Sequence, residues 1–174
     1  MPDLTPLISH WGYLAIFLFV ILGNLGLPAP EESILALAGY LVWQEKLRLS
    51  LVLLVGILSA IAGDNLGYWI GRRYGQKGIE RYGERVRLTP ARIEATRRFV
   101  THYGAFGVFA ARFITGLRFM AGPLAGSTGL PPMVFMTANA LGAMVYVPAM
   151  VGIGYAAGYG LGDYVGQIEK SEAP

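Results

Sequence analysis

Ala111-Arg-Phe-Ile-Thr-Gly-Leu-Arg-Phe-Met120 places two arginines, Arg112 and Arg118, inside a stretch that is otherwise free of charge from Gly104 to Leu130. Working outward, Glu31 and Glu32 lie between two apolar runs in Gly26-Leu-Pro-Ala-Pro-Glu-Glu-Ser-Ile-Leu-Ala-Leu-Ala-Gly39. Asp64 follows the apolar run from Leu49 to Gly63. An ionised side chain at bilayer depth costs ~2.5–3.5 kcal/mol on insertion scales. Five of them in one small chain need partners, a water-filled cavity, or both. Acids in the first half and arginines in the second point to an internal polar site for a charged or protonatable substrate.

Composition agrees with a membrane setting. The chain has 174 residues, of which 54% are hydrophobic and 14% charged. A soluble domain would carry nearer ~25% charge, and here the apolar residues come in long blocks. Cysteine is absent and His10 and His102 are the only histidines, so no disulfide, thiolate site or metal centre is expected, and no cofactor. No Lys or Arg precedes the run Trp11 to Leu22 and Pro28-Ala-Pro-Glu-Glu32 follows it, so it reads as a retained helix rather than a cleaved signal.

Net charge is +3, but its distribution says more. Arg72, Arg73, Lys77, Arg81, Arg85, Arg87, Arg92, Arg97 and Arg98 are nine of the fourteen basic residues, and only three acids share their stretch. The positive-inside rule makes the loop 72–98 cytoplasmic. A second reading is an interfacial helix on anionic lipid, starting at Thr89-Pro90 with a thin apolar face of Ile93, Phe99 and Val100. Nucleic acid is not expected as a partner, because a basic loop between membrane segments already has an explanation.

Five apolar blocks organise the chain as a single membrane domain over residues 1–174. Half 1 covers about 1–75, the basic loop about 76–102, and half 2 about 103–174. Leu7 to Leu22 nearly spans. Ser33 to Trp43 is too short to cross. Leu49 to Ile70 is a full crossing. Gly104 to Leu130 is broken by Arg112, Gly116, Arg118, Gly122 and Pro123. Pro131 to Gly162 is uncharged and carries Pro148, which leaves one or two helices open there. Non-helical backbone at membrane depth survives only inside protein or beside water. Asn24 to Trp43 and Gly104 to Leu130 therefore read as re-entrant hairpins or broken helices.

A weak internal repeat supports pairing these segments. At an offset of 87 residues Ala38-Gly39 matches Ala125-Gly126, Gly67-Tyr68 matches Gly154-Tyr155, and Glu31 stands opposite Arg118. Gly and Ala are abundant enough to produce such matches by chance. Paired interrupted segments in two halves are the sequence pointer to a transporter binding site. The resulting fold is an all-α polytopic membrane protein, an inverted repeat of re-entrant hairpin plus transmembrane helix. In this topology the first helix starts inside, the first hairpin opens outside, and Leu49 to Ile70 runs inward. The second hairpin opens inside, and the last block runs outward, leaving Asp163 to Pro174 outside unless Pro148 splits it.

Each charged group has a structural and a functional reading. Pro28-Ala-Pro-Glu-Glu32 makes a normal helix start. Functionally one of its acids, Glu32ahead of Glu31, faces a cavity and carries a proton. Asp64 is either a helix-end acid near Arg72 and Arg73, or a second proton site or the partner of an arginine. Arg112 and Arg118 are either snorkelling or structural ion pairs, or a phosphate site whose planar forks bind the anion. On an unbroken helix they would diverge by about 240°. A break at Gly116 would let them converge. The glycines fit close helix packing, which would permit a homodimer. Trp11, Trp43, Trp69 and several tyrosines fit interfacial belts.

Taken in order, Gly23-Asn-Leu-Gly-Leu-Pro-Ala-Pro-Glu-Glu-Ser-Ile-Leu-Ala-Leu-Ala-Gly-Tyr-Leu41, Gly63-Asp-Asn-Leu-Gly-Tyr-Trp-Ile-Gly-Arg-Arg-Tyr-Gly75, Phe109-Ala-Ala-Arg-Phe-Ile-Thr-Gly-Leu-Arg118, Asn139-Ala-Leu-Gly-Ala143 and Gly152-Ile-Gly-Tyr-Ala-Ala-Gly158 resemble the DedA family of bacterial inner-membrane proteins. That family belongs to the SNARE-associated (VTT-domain) superfamily and is related to lipid scramblases of the eukaryotic endoplasmic reticulum. The resemblance covers roughly Leu14 to Gly162. It implies oppositely facing re-entrant hairpins, a multi-pass inner-membrane location and lipid translocation. Some bacterial members are assigned as flippases recycling undecaprenyl phosphate. Others are linked to phosphatidylethanolamine or to proton-dependent stress tolerance. It assigns the functional acid to Glu32 and the paired arginines to Arg112 and Arg118. Gly23-Asn24 stands where the family often has Glu-Asn, and Thr115 replaces a usual proline. The lost acid leaves Glu32, with Glu31 or Asp64, to carry any proton.

The leading expectation is a lipid transporter, flippase- or scramblase-like, that takes a phosphate-bearing lipid on Arg112 and Arg118 with Glu32 coupling protonation to release. The alternatives are a proton-driven ion or drug antiporter and a non-transporting membrane scaffold or assembly factor. Enzymatic function is not expected. The chain has no nucleophile with a nearby histidine pattern and no H-E-x-x-H. Gly63-Asp64 is similar to one motif of intramembrane aspartyl proteases, but Ile61 stands where the motif needs glycine and no second motif aspartate follows.

Overall fold

Backbone in an apolar setting must satisfy its own hydrogen bonds, and long runs rich in Leu, Ala, Ile and Val do so as helices. The computed structural model describes residues 5–24, 31–85, 89–114 and 117–172. Six helices account for most of them: α1 (Thr5–Asn24), α2 (Glu31–Trp43), α3 (Leu49–Arg85), α4 (Pro90–Ala111), α5 (Arg118–Ser127) and α6 (Pro132–Glu172). Among the described residues there is no strand.

Length sorts these helices into two kinds. Leu49–Gly75 of α3 and Pro132–Gly160 of α6 are apolar and long enough to cross a bilayer. Their 27 and 29 residues rise ~40 Å and ~43 Å, beyond the ~30 Å of hydrocarbon. By contrast α2 and α5, with 13 and 10 residues, reach only ~20 Å and ~15 Å. The last apolar block is one helix. Pro148 sits inside α6 without dividing it, so the split that would return the tail to the first side does not occur. Two bends interrupt helices. Gly75 (φ 63°) and Gly104 (φ 53°) interrupt α3 and α4 in the left-handed region, where a side chain is strained although nothing lies within 4 Å.

Each short helix packs chiefly on the long helix of the other half, α2 on α6 and α5 on α3. Both crossings bring backbone onto backbone. A Cβ on Gly39 or Gly154 would run into the carbonyls of Val151 or Ala36, and one on Gly126 or Gly71 into those of Tyr68 or Pro123. Small residues allow this approach and the dispersion contact that comes with it. The helix limits follow the same offset as the sequence repeat. A shift of 87 residues carries the last residue of α1, Asn24, onto the last residue of α4, Ala111, and the first residue of α2, Glu31, onto the first of α5, Arg118.

The first helix differs from expectation. Gly12 lies on Leu47, the Arg48 backbone N–H donates to the Tyr13 hydroxyl (2.8 Å), and Gly63 lies on Ile21 and Asn24. Thus α1 runs in the same direction as α3 and begins at the end where α2 turns into α3. It is one arm of a helical hairpin whose other arm is α2, not a separate crossing that starts at the opposite end. Run length suggested a crossing, but length carries no direction. Asn24, a buried polar group, draws the C-terminal end of α1 to the polar interior. The proline-rich segment expected at the hairpin tip, Pro28 to Pro30, lies outside the described residues.

The start of α4 at Pro90 matches the expected helix, but its apolar face is turned inward. Ile93 packs with Met120 and Leu124, and Val100 with Tyr68, Ala125 and Phe135. That face therefore covers α5 rather than lying open to lipid. The main core joins α1, α2, α3 and α6 through Ile16, Val20, Leu35, Val52, Ala60, Tyr146, Val147 and Val151. Outside it, Trp11, Leu54, Leu58, Met133, Leu141 and Ile153 stand more than half exposed, an apolar exterior that water would not tolerate and lipid does.

Candidate functional site

All five charged residues singled out in the sequence converge on one place inside the helices. Helix α4 ends at Ala111, and Arg112 is its cap, with its backbone N–H donating to Phe109 and Ala110 carbonyls. Helix α5 begins at Arg118. The interruption between them lets both arginines face inward, 4% and 7% exposed, where a continuous helix would turn them apart. Gly116, expected to make this break, and Thr115, which replaces the family's usual proline, lie outside the described residues.

The two arginines have different surroundings. Arg112 Nη2 donates to Asp64 Oδ2 on α3 and to Asn139 Oδ1 on α6. Asn139 Nδ2 in turn donates to the Ile61 carbonyl (3.3 Å) and Asn65 Oδ1 (3.5 Å). Arg112 is thereby tied to two helices. Arg118 Nη1 lies 2.6 Å from Glu31 Oε2, and its Nη2 lies 3.8 Å from Glu32 Oε1. Its guanidinium also stands 5.5 Å from the centre of the Tyr146 ring, in cation–π range. Glu31 is fully buried, whereas the Glu32 side chain is 43% exposed. Glu31 is therefore the inner acid and Glu32 the outer one. Asn24 stands beside Glu31 and donates through Nδ2 to the Val20 carbonyl (2.8 Å).

Two further features belong to this cluster. First, hydrogen-bonding capacity is left unspent. Asp64 Oδ1 and Arg112 Nη1 are buried without a hydrogen-bond partner among the described residues. Such a group costs ~1–3 kcal/mol, and native proteins keep it mainly where something else uses it. Second, α2 and α5 both begin here, so the positive ends of two helix dipoles meet at the cluster. Glu31 complements that field, but Arg118 opposes it. A cation at a helix N-terminus breaks a local rule, as functional sites do.

Asn139 and Tyr146 escaped the sequence reading. Asn139 had a signal, since an amide stands alone among apolar residues in Met136-Thr-Ala-Asn-Ala-Leu141. Tyr146 had none, because ten tyrosines invite a general interfacial reading. The described side chains of the basic stretch make their contacts away from the cluster. Arg72 is exposed and donates to the Tyr68 hydroxyl (2.6 Å), while Arg97 and Arg98 lie 3.7 Å and 3.0 Å from Glu94. The side chains of Lys77, Arg81, Arg85, Arg87 and Arg92 lie outside the described residues.

Comparison with known proteins places this arrangement in context. A family model, the VTT domain, matches residues 29–170. The membrane protein slr0232 of Synechocystis is 35% identical over 155 residues, covering 89% of this chain and 71% of its own. The membrane protein YbfM of Bacillus subtilis is 31% identical over 88% of this chain and 95% of its own. The inner membrane protein YohD of Escherichia coli is 30% identical over 97% and 82%. No solved structure matches.

Proposed function

The chain belongs to the VTT-domain (DedA) family of membrane proteins, and from that premise we propose that it moves a phosphate-bearing lipid across the bacterial inner membrane. The observation that carries the reading is the Arg118–Glu31–Glu32 contact, where two short helices begin. An arginine held by carboxylates in a dry interior is an exchangeable site. A phosphate offers the same bidentate oxygen geometry as a carboxylate. It can take the guanidinium fork while the displaced acid accepts a proton, so the buried charge stays balanced throughout. Proton uptake would then accompany phosphate binding, with Glu32 as the acid nearest the exterior.

The short helices fit this role. In this reading α1–α2 and the end of α4 with α5 are re-entrant hairpins of opposite orientation, and α3 and α6 are the crossings. The matching limits at the 87-residue offset and the exchanged crossings of α2 on α6 and α5 on α3 support it. Binding sites between inverted, interrupted helices are the common solution of membrane carriers. Acyl chains would remain in lipid beside the apolar exterior while the headgroup passes the cluster.

The test is translocation by the purified protein in liposomes carrying a fluorescent polyprenyl phosphate, with and without a pH gradient. Arg118→Ala should reduce headgroup translocation to the protein-free rate and should abolish rescue of a strain lacking its own family members, at normal protein level. Retained rescue by this variant would sink the assignment. Gradient-driven efflux of a small ion with no lipid requirement would establish an antiporter instead. Loss of folded protein on every charge-neutralising change, without transport in the parent, would establish a scaffold.

A further inference from the structure

Among the described residues Tyr146 is the aromatic group whose ring faces a charged member of the cluster, and the proposed transport gives it no role. It lies on α6, is 3% exposed, and presents its ring to the Arg118 guanidinium. Arg118, Glu32, Glu31 and Arg112 are the charged groups that act on its hydroxyl. The ring also meets Phe113 edge to face, with centroids 5.8 Å apart at 76°. Phe113 is 46% exposed. Arg118 is therefore flanked by buried Glu31, by half-exposed Glu32 and by the Tyr146 ring, which in turn contacts the half-exposed Phe113 ring.

Arg112 offers no comparable approach. It is 4% exposed, its Nη2 is engaged by both Asp64 and Asn139, and no half-exposed acid stands beside it. An oxyanion entering beside half-exposed Glu32 meets Arg118 first. There a phenol is well suited to the work. The ring holds the guanidinium while the site is empty, and the hydroxyl supplies a neutral donor to an anion without adding charge to the interior.

We infer that Tyr146 is a binding residue of this site. It donates a hydrogen bond from its hydroxyl to a phosphate oxyanion on Arg118, and its ring closes the entrance against Phe113. This inference rests on the phosphate reading above. The recognised chemistry is a phosphate oxyanion, which a lipid headgroup or free phosphate could supply.

The experiment measures binding of fluorescent phosphatidic acid, and separately of inorganic phosphate, to the full-length protein in phosphatidylcholine nanodiscs. Wild type is compared with Tyr146→Phe, which keeps the ring, and with Arg118→Ala. Thermal unfolding checks that each variant is folded. Tyr146→Phe should weaken phosphatidic acid binding by about tenfold, the loss of one hydrogen bond to a charged group, with unfolding unchanged. Equal binding by wild type and a folded Tyr146→Phe, with Arg118→Ala impaired, would overturn the role of Tyr146 and leave the lipid reading standing. Should Tyr146→Phe be unstable, 4-fluorophenylalanine at position 146, which keeps the ring and its size and removes the donor, takes its place, and undiminished binding by that folded variant overturns the hydroxyl's role. Tyr146-dependent binding of inorganic phosphate without phosphatidic acid binding would support the oxyanion site and overturn the lipid reading. Absence of both in wild type would overturn both.

Discussion

Asp64, Arg112 and Asn139 join α3, the end of α4 and α6 at one buried point. Removing one member of such a pair leaves an uncompensated charge and typically costs about 3–5 kcal/mol, while replacing both with apolar residues restores most of it. Arg112→Leu and Asp64→Leu should therefore each lower the midpoint of thermal unfolding in detergent, and the double variant should recover much of the loss. Additive losses in the double variant would show that the pair does not act as a brace. At Arg118 the same cycle should behave differently, because Glu32 at 3.8 Å remains as a second partner when Glu31 is changed. The charged members of this site were legible in the sequence because ionised groups at membrane depth are conspicuous. Their pairing was not. Asp64 lies 48 residues from Arg112, and only the tertiary packing of α3 beside the end of α4 brings them together.

At the scale of helices, the α2–α6 and α3–α5 crossings depend on glycine for room rather than for backbone freedom. Gly126→Ala would push a methyl group into the Tyr68 carbonyl and the Arg72 amide. Neither backbone atom can swing aside, so α5 must separate from α3. Gly126→Ala should lower the yield of monodisperse protein in size-exclusion chromatography, with a loss of ~1–3 kcal/mol. Gly152, on the outer side of α6 with nothing within 4 Å, should accept alanine with no loss and gain up to ~1 kcal/mol in helix propensity. Equal behaviour of the two would refute close packing at the crossing. The long helices were readable from block length, and the short ones from the failure of their blocks to reach across a bilayer. The direction of α1 was not readable. It depends on Tyr13, Arg48, Asn24 and Gly63 meeting across the fold, and no local pattern encodes such contacts.

For the molecule as a whole, the contacts set which ends lie together. The start of α1 and the α2–α3 turn lie at one end, and the α5–α6 turn meets Tyr68 and Arg72 at the other. In the proposed topology the basic residues near Arg72 would face that second end toward the cytoplasm. The chain has no cysteine, so single introduced cysteines report sidedness without background. In intact cells Glu45→Cys should react with a membrane-impermeant maleimide from outside, while Thr101→Cys should react only after the inner membrane is opened. The reverse pattern would invert the topology. Both positions are exposed, so absence of labelling in lysed cells would indicate a different fold.

The Glu31–Arg118 contact has a consequence for ancestry. These two residues begin α2 and α5 at the 87-residue offset, yet they carry opposite signs and touch each other. If the halves arose by duplication, an earlier molecule built from two identical polypeptides would have faced glutamate with glutamate, or arginine with arginine, at that point. Fusion into a single gene removes the constraint, since each copy can then mutate without the other. A relative made as two separate half-length proteins could hold this charge pair only as a heteromer of distinct gene products.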